Sequence, residues 1–198
     1  MRKLIVKMSM SLDGFVSGPN RDGKWIFRAS DEESQAWSVA SAAQAGIHAM
    51  GHNTFRDMAA YWPTAQGPFA PVMNAIPKVV FARGGLAPGD VTAKSDVDPE
   101  VMRSWMHPRV ATGDLAEEIA KLKQEPGKDI VAHGGAAFVQ SLIEQDLVDE
   151  YRLAIHPVAL GSGLPIFSKV DALRDLELVE LKRFPKGIVA HVYARAKR

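Results

Sequence analysis

Twice in this chain a short apolar segment leads through glycine directly into a stretch with helical spacing. Residues 47–50 run into Gly51-His52-Asn53-Thr54, and residues 129–132 run into His133-Gly134-Gly135. Strands that alternate with helices in this way are typical of a mainly parallel sheet with helices on both faces. The carboxyl ends of parallel strands share one edge of the sheet, where open α/β folds bind their ligands. The two junctions therefore predict a fold class and also the place of a site.

The remaining apolar segments extend this pattern along the chain. Predicted strands cover residues 3–10, 47–50, 78–82, 109–111, 129–132, 150–158, 176–184 and 188–195. Predicted helices cover residues 31–45, 54–61, 115–125 and 136–145, with one more short helix within 86–108. The turn Pro185-Lys186-Gly187 joins the last two strands and predicts an antiparallel hairpin. No break in composition divides the chain, so we predict a single mixed-sheet α/β domain over residues 1–198.

Capping and turn residues mark several boundaries between these elements. Ser30 with Glu33 predicts a capping box at the first helix, and Asn53 is the predicted N-cap of the second. Residues 63–77 hold four prolines, and residues 11–29 are rich in glycine. We therefore predict both segments to be loops.

The composition excludes several classes of protein. The 24 Lys and Arg residues nearly balance 23 Asp and Glu, so the charge favours neither a nucleic acid nor an anionic membrane as partner. The absence of cysteine excludes disulfides, thiolate metal sites and a cysteine nucleophile. The six histidines lack metal-ligand spacing, so we predict no metal site. No apolar run is long enough to span a bilayer, and Lys7 interrupts the apolar start, so we expect a cytoplasmic protein.

The two glycine junctions are candidates for binding phosphate. A helix N-terminus has unpaired N–H groups and the positive end of the helix dipole, and glycine lets a ligand approach the backbone closely. Each junction taken alone is better explained as a tight turn with a well-capped helix. Two such junctions together favour a pyrophosphate bound between the two helices. The chain lacks the GxGxxG and GxxxxGK[ST] motifs, which disfavours a standard Rossmann dehydrogenase or a P-loop protein.

Three single residues near predicted strand or helix ends have two interpretations each. Arg83 follows a strand and either pairs with a nucleotide 2′-phosphate or is a solvated loop residue. Asp13 either accepts a hydrogen bond from a substrate or holds its own turn. Glu33 is either an acid in the cleft or part of its capping box.

Four motifs in order give the chain a resemblance to a known family. They are residues 10–15 (MSLDGF), residues 50–55 (MGHNTF), Gly134-Gly135 before a helix, and residues 157–167 (PVALGSGLPIF). The chain resembles the dihydrofolate reductase-like superfamily, specifically single-domain relatives of the reductase domain at the C-terminus of the bifunctional riboflavin-biosynthesis protein RibD. This resemblance covers nearly the whole chain.

The resemblance implies a fold, a cofactor and a set of site residues. The fold is the three-layer dihydrofolate reductase-like one, with a mixed, mostly parallel central sheet between helices, and the activity is that of an NADPH-dependent reductase. The resemblance implies that the loop holding Asp13 flanks the nicotinamide, and our hypothesis is that Asp13 is the polar substrate contact with a catalytic role. The residues implied at the cofactor are Val16, Gly51, Asn53, Thr54, Phe55, Arg83, Gly134, Gly135, Ala136 and Phe138. A homodimer is also implied.

Two departures from the family pattern bear on the substrate. His52 stands where many relatives have arginine, and Gln35 stands near the position of the acid with which dihydrofolate reductases protonate the pterin. The glutamine disfavours dihydrofolate itself as the substrate. The resemblance implies a small pterin- or pyrimidine-like heterocycle as the substrate of an enzyme similar to dihydrofolate reductase or to 5-amino-6-(5-phosphoribosylamino)uracil reductase. A non-catalytic protein that binds a nucleotide or pterin with the same fold is the alternative.

Overall fold

The computed structural model of the chain describes residues 1–92 and 94–196. The helices are α1 (Glu32–Ala43), α2 (His52–Tyr61), α3 (Phe69–Ala75), α4 (Pro99–Met106), α5 (Leu115–Gln124) and α6 (Ala136–Glu144). The strands are β1 (Leu4–Ser11), β2 (Phe15–Ser17), β3 (Ile47–Gly51), β4 (Lys78–Phe81), β5 (Arg109–Ala111), β6 (Ile130–Ala132), β7 (Glu150–His156), β8 (Leu164–Pro165), β9 (Leu176–Arg183) and β10 (Val189–Arg195).

Within the described residues, eight strands form one sheet in the order β5-β4-β3-β6-β1-β7-β10-β9. The six strands from β5 to β7 are parallel to their neighbours, and β10 and β9 add an antiparallel hairpin at one edge. The short strands β2 and β8 pair separately. The mixed α/β fold predicted from the sequence is thereby confirmed, including its C-terminal hairpin.

Strand β1 lies in the middle of this sheet because its first residues are apolar on both faces. Leu4, Ile5 and Val6 are fully buried. One face of the sheet packs against α5 and α6, around side chains such as Ile119 and Leu142. A second cluster on the α2, α3 and α4 side surrounds Trp105. No helix among residues 1–92 and 94–196 combines the length and the apolar character that a membrane crossing needs.

Two predicted caps are wrong by one or two residues. Asp31, not Ser30, is the N-cap of α1, and Ser34 rather than Glu33 completes its capping box. Lys186 decides this choice because its backbone N–H donates to the second carboxylate oxygen of Asp31 at 2.9 Å. Gly51, not Asn53, is the N-cap of α2, so that helix begins directly where its strand ends.

The segment 63–77 is not the loop that its prolines predict. It holds a turn of 3₁₀ helix over Trp62–Thr64 and the helix α3. Pro71 lies in the first turn of α3, where a backbone N–H has no partner within the helix and proline is tolerated. The predicted loop 11–29 similarly contains β2 and two short 3₁₀ turns.

Candidate functional site

The two glycine junctions lie side by side at one edge of the sheet. Strands β3 and β6 are parallel neighbours, and the Gly51 N–H donates to the Gly134 carbonyl at 3.1 Å. Gly51 is the N-cap of α2 and Gly135 is the N-cap of α6. The first turns of both helices therefore start from the same place, and their free N–H groups open toward one space.

Glycine is needed at both junctions because the two helix starts approach each other closely. A Cβ atom added at Gly135 would lie 2.6 Å from the Thr54 hydroxyl oxygen. A Cβ atom added at Gly51 would lie 3.1 Å from the Cβ atom of Phe138. Both glycines have ordinary helix-cap dihedral angles, which other residues also adopt. Glycine is therefore required by the close contact between the two junctions and not by the backbone conformation.

A cavity of about 760 Å³ lies in front of these helix starts. Phe81 and Phe138 stack in its wall with ring centres 4.8 Å apart. Among the described residues its lining includes no aspartate or glutamate, but it includes four basic side chains, which are Arg21, His52, Arg83 and Lys169. Unpaired N–H groups, the positive ends of two helix dipoles and these side chains all favour an anion. These N–H groups and basic side chains fit the phosphates of a dinucleotide. No carboxylate of the described chain forms an ion pair with Arg83, so its guanidinium group is available to an additional phosphate.

The structure brings most of the predicted cofactor residues to this cleft. Those that line it are Gly51, Asn53, Thr54, Arg83, Gly135, Ala136 and Phe138. The prediction that the Phe55 side chain contacts the cofactor is wrong. That side chain is fully buried against Trp105, and only the backbone of Phe55 remains for a ligand. Gly134 contributes its carbonyl to the Gly51 N–H and otherwise faces Met8, outside the cleft lining.

A second cavity of about 350 Å³ lies beside the first, and Val16 lines it. His133 lines this second cavity whereas Gly135, two residues later, lines the first. Ser17 pairs with Leu164 of β8, which lines the first cavity. The two cavities are therefore neighbours, separated by the β6–α6 junction and by the small sheet. Aromatic and apolar side chains dominate the second cavity and include Phe27, Trp37, Met58, Trp62, Phe69 and Phe184.

Lys7 is the basic group of the second cavity. It is half-buried on β1, with Nζ 5.2 Å from the centre of the Phe69 ring, and no ion pair joins it to a carboxylate within residues 1–92 and 94–196. Burial, and then the nearby charge of Arg152, lower the pKa of Lys7 to about 8. At neutral pH Lys7 is therefore still mostly protonated, yet gives up its proton far more readily than a surface lysine.

His133 lies at the same cavity with its ring edge-on to His48, 4.4 Å between ring centres. Burial, followed by the charges of His48 and Lys7, holds the pKa of His133 well below its usual value, so the ring is neutral. Its Nε2 atom is buried and has no hydrogen-bond partner in the described part of the chain. A buried polar atom left without a partner beside a cavity is a candidate contact for a ligand.

Gln35 occupies the position in the second cavity at which the resemblance implies an acid. Its side-chain amide donates to the Ser30 hydroxyl at 3.2 Å. No aspartate or glutamate of the described ranges lines this cavity either. Glu33 is exposed and lies outside it, so its predicted alternatives, a capping residue or a cleft acid, are both wrong.

Asp13 holds a turn and lines neither cavity. Its carboxylate accepts hydrogen bonds from the Ser11 hydroxyl at 2.6 Å, the Gly161 N–H at 2.7 Å and the Leu160 N–H at 2.9 Å. The Ser11 hydrogen bond, and then that from Gly161, lower the pKa of Asp13 to about 2. These contacts favour the interpretation of Asp13 as a turn residue that ties the β1 end to residues 160–161, and its catalytic role stays a prediction.

A contact with Asp90 holds the His52 side chain in place at the first cavity. Its Nε2 lies 2.9 Å from a carboxylate oxygen of Asp90, whose other oxygen lies 3.4 Å from Nε of Arg56. Asp90 also accepts from the Ala87 N–H, which together with His52 lowers its pKa. Asp90 thus engages both His52 and Arg56, and Arg83 is the cation at the cleft without an acidic partner in the described ranges.

The sequence prediction overlooked Lys7, His133, Arg21 and Lys169. One signal for Lys7 was present, because a lysine inside an otherwise apolar strand needs a reason to be buried. His133 directly precedes the second glycine junction, but no local signal indicates that its ring lies at a cavity. Arg21 and Lys169 come from segments far apart along the chain, and only the folded structure brings them to the first cavity.

A parallel α/β sheet with two glycine junctions at one edge and adjoining polar and aromatic cavities defines the dihydrofolate reductase-like class of fold. The sequence profile of the RibD C-terminal domain family matches residues 2–190, and the chain belongs to that family. The resemblance predicted from the four motifs is thereby confirmed.

Comparison with individual proteins agrees with this family. The Bacillus subtilis (strain 168) protein YyaP is 29% identical over 197 residues, covering 97% of this chain and 94% of YyaP. A Shewanella sp. PV-4 structure with a provisional assignment to riboflavin biosynthesis superposes with a TM-score of 0.73 at 18% identity, covering 98% and 99% of the two chains. The Thermotoga maritima diaminohydroxyphosphoribosylaminopyrimidine deaminase/5-amino-6-(5-phosphoribosylamino)uracil reductase superposes with a TM-score of 0.68 at 15% identity. That match covers 98% of this chain and 57% of the bifunctional protein. At these identities the two structures share the fold.

Proposed function

We propose that the protein is an NADPH-dependent reductase of a small pterin- or pyrimidine-like heterocycle, acting in the cytoplasm, where reduced nicotinamide dinucleotides are available. The observation that carries the proposal is the first cavity, in which two helix N-termini and four basic side chains face one space whose described lining has no carboxylate. Membership of the RibD C-terminal domain family supports the same reaction type.

The chain's own residues divide the binding of a dinucleotide between them. The backbone N–H groups of residues 52–54 and 136–137 would hold the diphosphate, and Arg83 the 2′-phosphate. A bound nicotinamide supplies the hydride. Val16 and the end of β1 would border the ring, since Val16 lines the second cavity where it adjoins the first.

The second cavity sets the expectation for the substrate. Trp62 and Phe69 both line this cavity and stack on each other with ring centres 5.5 Å apart, so the cavity offers aromatic surface to a planar heterocycle. The described lining of this cavity holds no carboxylate that could pair with a positively charged, amidine-like edge of a substrate ring. The cavity therefore does not favour a substrate with such an edge. Lys7 instead offers a proton to a carbonyl oxygen or imine nitrogen of the substrate, and His133 offers an unpartnered ring nitrogen. Lys7 is thus the proposed proton donor for the atom next to the one that receives the hydride.

Fluorescence titration tests the cofactor assignment. NADPH added to the wild-type protein is expected to quench tryptophan emission with a micromolar Kd. Arg83→Ala removes one charge-assisted contact, so it weakens NADPH about 10-fold and leaves NADH nearly unchanged. Arg103→Ala is the matched control, since Arg103 lies on α4 and pairs with Glu100. A folded protein that binds no NADPH contradicts the proposal, whereas equal binding of NADH contradicts only the role of Arg83.

The alternative of a non-catalytic binding protein is favoured by one observation, the glutamine at the expected acid position. Stopped-flow absorbance at 340 nm with a panel of pterins, aminopyrimidines and flavin precursors separates the two. Oxidation of NADPH that Lys7→Met abolishes, with the NADPH Kd unchanged, supports the reductase. Tight NADPH binding without oxidation by any compound supports the binding protein.

A further inference from the structure

The His52 side chain connects the first cavity to the loop that follows β4. His52 is the first residue of α2 and lines that cavity, and its side chain is 35% exposed, so a ligand can reach it. Its Nε2 atom lies 2.9 Å from a carboxylate oxygen of Asp90. Within the described lining of the cavity His52 is the only histidine, and histidine is the side chain that ordinarily changes its charge between pH 5 and 8.

The Asp90 carboxylate is held in place on several sides and is ionised. The oxygen that faces His52 also accepts from the Ala87 N–H at 2.6 Å, and the other oxygen lies 3.4 Å from Nε of Arg56. The Ala87 hydrogen bond, followed by the contacts with His52 and Arg56, lowers the pKa of Asp90 below its usual value. An ionised carboxylate only accepts hydrogen bonds, so Nε2 of His52 carries a proton and donates it.

This hydrogen bond decides what the second ring nitrogen of His52 can do. A neutral imidazole carries one proton, and the contact with Asp90 places that proton on Nε2. Nδ1 of the neutral ring then has a lone pair, which repels a phosphate oxygen. Nδ1 acquires an N–H only when the ring is protonated, and a charged N–H donor forms a strong hydrogen bond to phosphate.

The other charged side chains around His52 do not change their charge over this range of pH. Arg56 lies one turn further along α2 and contacts the same carboxylate, and Arg21, Arg83 and Lys169 line the cavity from three other segments. Arginine and lysine ordinarily stay protonated well above pH 8. Of the side chains described at this cavity, His52 is therefore the one through which pH acts on the binding of a phosphate.

We propose that Asp90 is a positioning residue that makes His52 a proton-dependent contact for a phosphate of the dinucleotide, so that binding of the cofactor takes up a proton at Nδ1. This inference rests on the proposed NADPH assignment and adds to it a dependence of cofactor affinity on pH. The affinity is highest when the ring is charged and falls as the pH rises. Loss of one charge-assisted hydrogen bond weakens the cofactor about 10-fold.

NADPH titration at pH 6 and pH 8 tests the proposal against His52→Arg. Arginine is charged at both pH values, and the 2′-phosphate of NADPH titrates alike with either protein, so the comparison isolates His52. At constant ionic strength, the Kd of the wild type is expected to rise about 10-fold more between pH 6 and pH 8 than the Kd of His52→Arg.

Calorimetry measures the proton directly and needs no variant. Heats of NADPH binding at pH 7.5 in HEPES and in Tris, whose ionisation enthalpies differ, give the number of protons taken up. The 2′-phosphate is largely ionised at this pH, so protons taken up go to the protein. We expect the wild type to take up a measurable fraction of one proton and His52→Arg to take up less.

Asp90→Ala tests the positioning role. Without the carboxylate, a neutral His52 ring can carry its proton on Nδ1 and still donate to the phosphate, so the extra rise in Kd is expected to shrink to within about threefold. A merely structural role of Asp90 would change the Kd by the same factor at both pH values. Asp57→Ala is the matched control, because Asp57 is a carboxylate of α2 that lies 3.9 Å from Arg21 and has no contact with His52.

Circular dichroism verifies that each variant is folded. The proposal is overturned if the wild type and His52→Arg share one pH dependence, if the wild type takes up no proton, or if Asp90→Ala keeps the whole 10-fold effect. A folded wild type that binds no NADPH at either pH overturns the proposed function and this inference together, whereas binding without the pH effect overturns this inference alone.

Discussion

Gly135→Ala tests how closely the two helix starts approach each other. The backbone of Gly135 has φ −73°, which alanine adopts without strain. The added Cβ atom would lie 2.6 Å from the Thr54 hydroxyl oxygen, well inside contact distance, and 3.9 Å from the Thr54 Cβ atom, which is ordinary contact. One oxygen atom therefore accounts for the whole clash. Overpacking of this size costs about 1–3 kcal/mol of the free energy of unfolding.

A double-mutant cycle isolates that contact. Urea unfolding is measured for the wild type, Gly135→Ala, Thr54→Ala and the double variant. Alanine is also a poorer N-cap than glycine, but this cost is the same in both backgrounds and cancels. We expect Gly135→Ala to destabilise the protein by about 1–2 kcal/mol more when Thr54 is present than when residue 54 is alanine. Costs that agree in the two backgrounds within about 0.5 kcal/mol would refute the argument, because independent sites are additive to that degree.

Three further predictions concern the pH dependence and the turn at the end of β1. Lys78 is 2% exposed and donates to the Ser104 hydroxyl at 2.6 Å, and burial lowers its pKa to about 7. The unfolded chain keeps this proton up to about pH 10, whereas the folded protein loses it near pH 7. The free energy of unfolding therefore rises with pH above 7, by at most about 1.4 kcal/mol per pH unit. Urea unfolding at pH 7 and 9 is expected to show a smaller rise for Lys78→Met than for the wild type, because the variant lacks this proton. With Lys7 as the proton donor, the single-turnover rate is expected to fall above about pH 8, which is the pKa of Lys7. Lys7→Arg is expected to remove this fall. A pH–rate profile that is the same in the variant as in the wild type argues against Lys7 as the proton donor. Asp13→Asn lowers the Tm and leaves the turnover rate within a few-fold, whereas loss of about 100-fold in rate at an unchanged Tm would assign Asp13 to catalysis.

The order of strands and helices could be predicted from sequence because each junction carries its own local signal. Gly51 and Gly135 follow apolar segments and precede helical spacing, and this local pattern is sufficient to place both at the carboxyl edge of a parallel sheet. The cap of α1 could not be predicted, since Ser30 and Asp31 are both good caps. The choice depends on Lys186, which is distant along the chain and contacts Asp31 only in the folded protein.

The helix α3 escaped prediction because its formation depends on packing. Its sequence offers proline and asparagine, which locally favour a loop. In the folded chain the carbonyl groups of Met73 and Asn74 accept from the buried Lys78, and the Asn74 side chain accepts from Trp105 at 2.8 Å. These contacts with β4 and α4 stabilise a helix that is too short to form by itself.

The cofactor cleft can be predicted from the sequence better than the substrate cavity, because the cleft depends on local sequence and the cavity depends on packing. Backbone N–H groups at a glycine junction point outward wherever a strand runs into a helix, so the cleft follows from local sequence. The second cavity depends on which face of β1 carries Lys7 and on where the ends of β6 and α1 place His133 and Gln35. Strand pairing determines this placement, and one sequence does not reveal strand pairing. Phe55 was assigned to the wrong surface because the phase of α2 turns its side chain into the core.

Hydrogen–deuterium exchange with and without NADPH tests most directly whether the two helix starts serve one dinucleotide. We expect NADPH to protect the amides at residues 51–54 and at residues 135–138 together, with the same half-saturating concentration for both segments. Protection of only one segment, or of neither while NADPH binds elsewhere, would contradict the account.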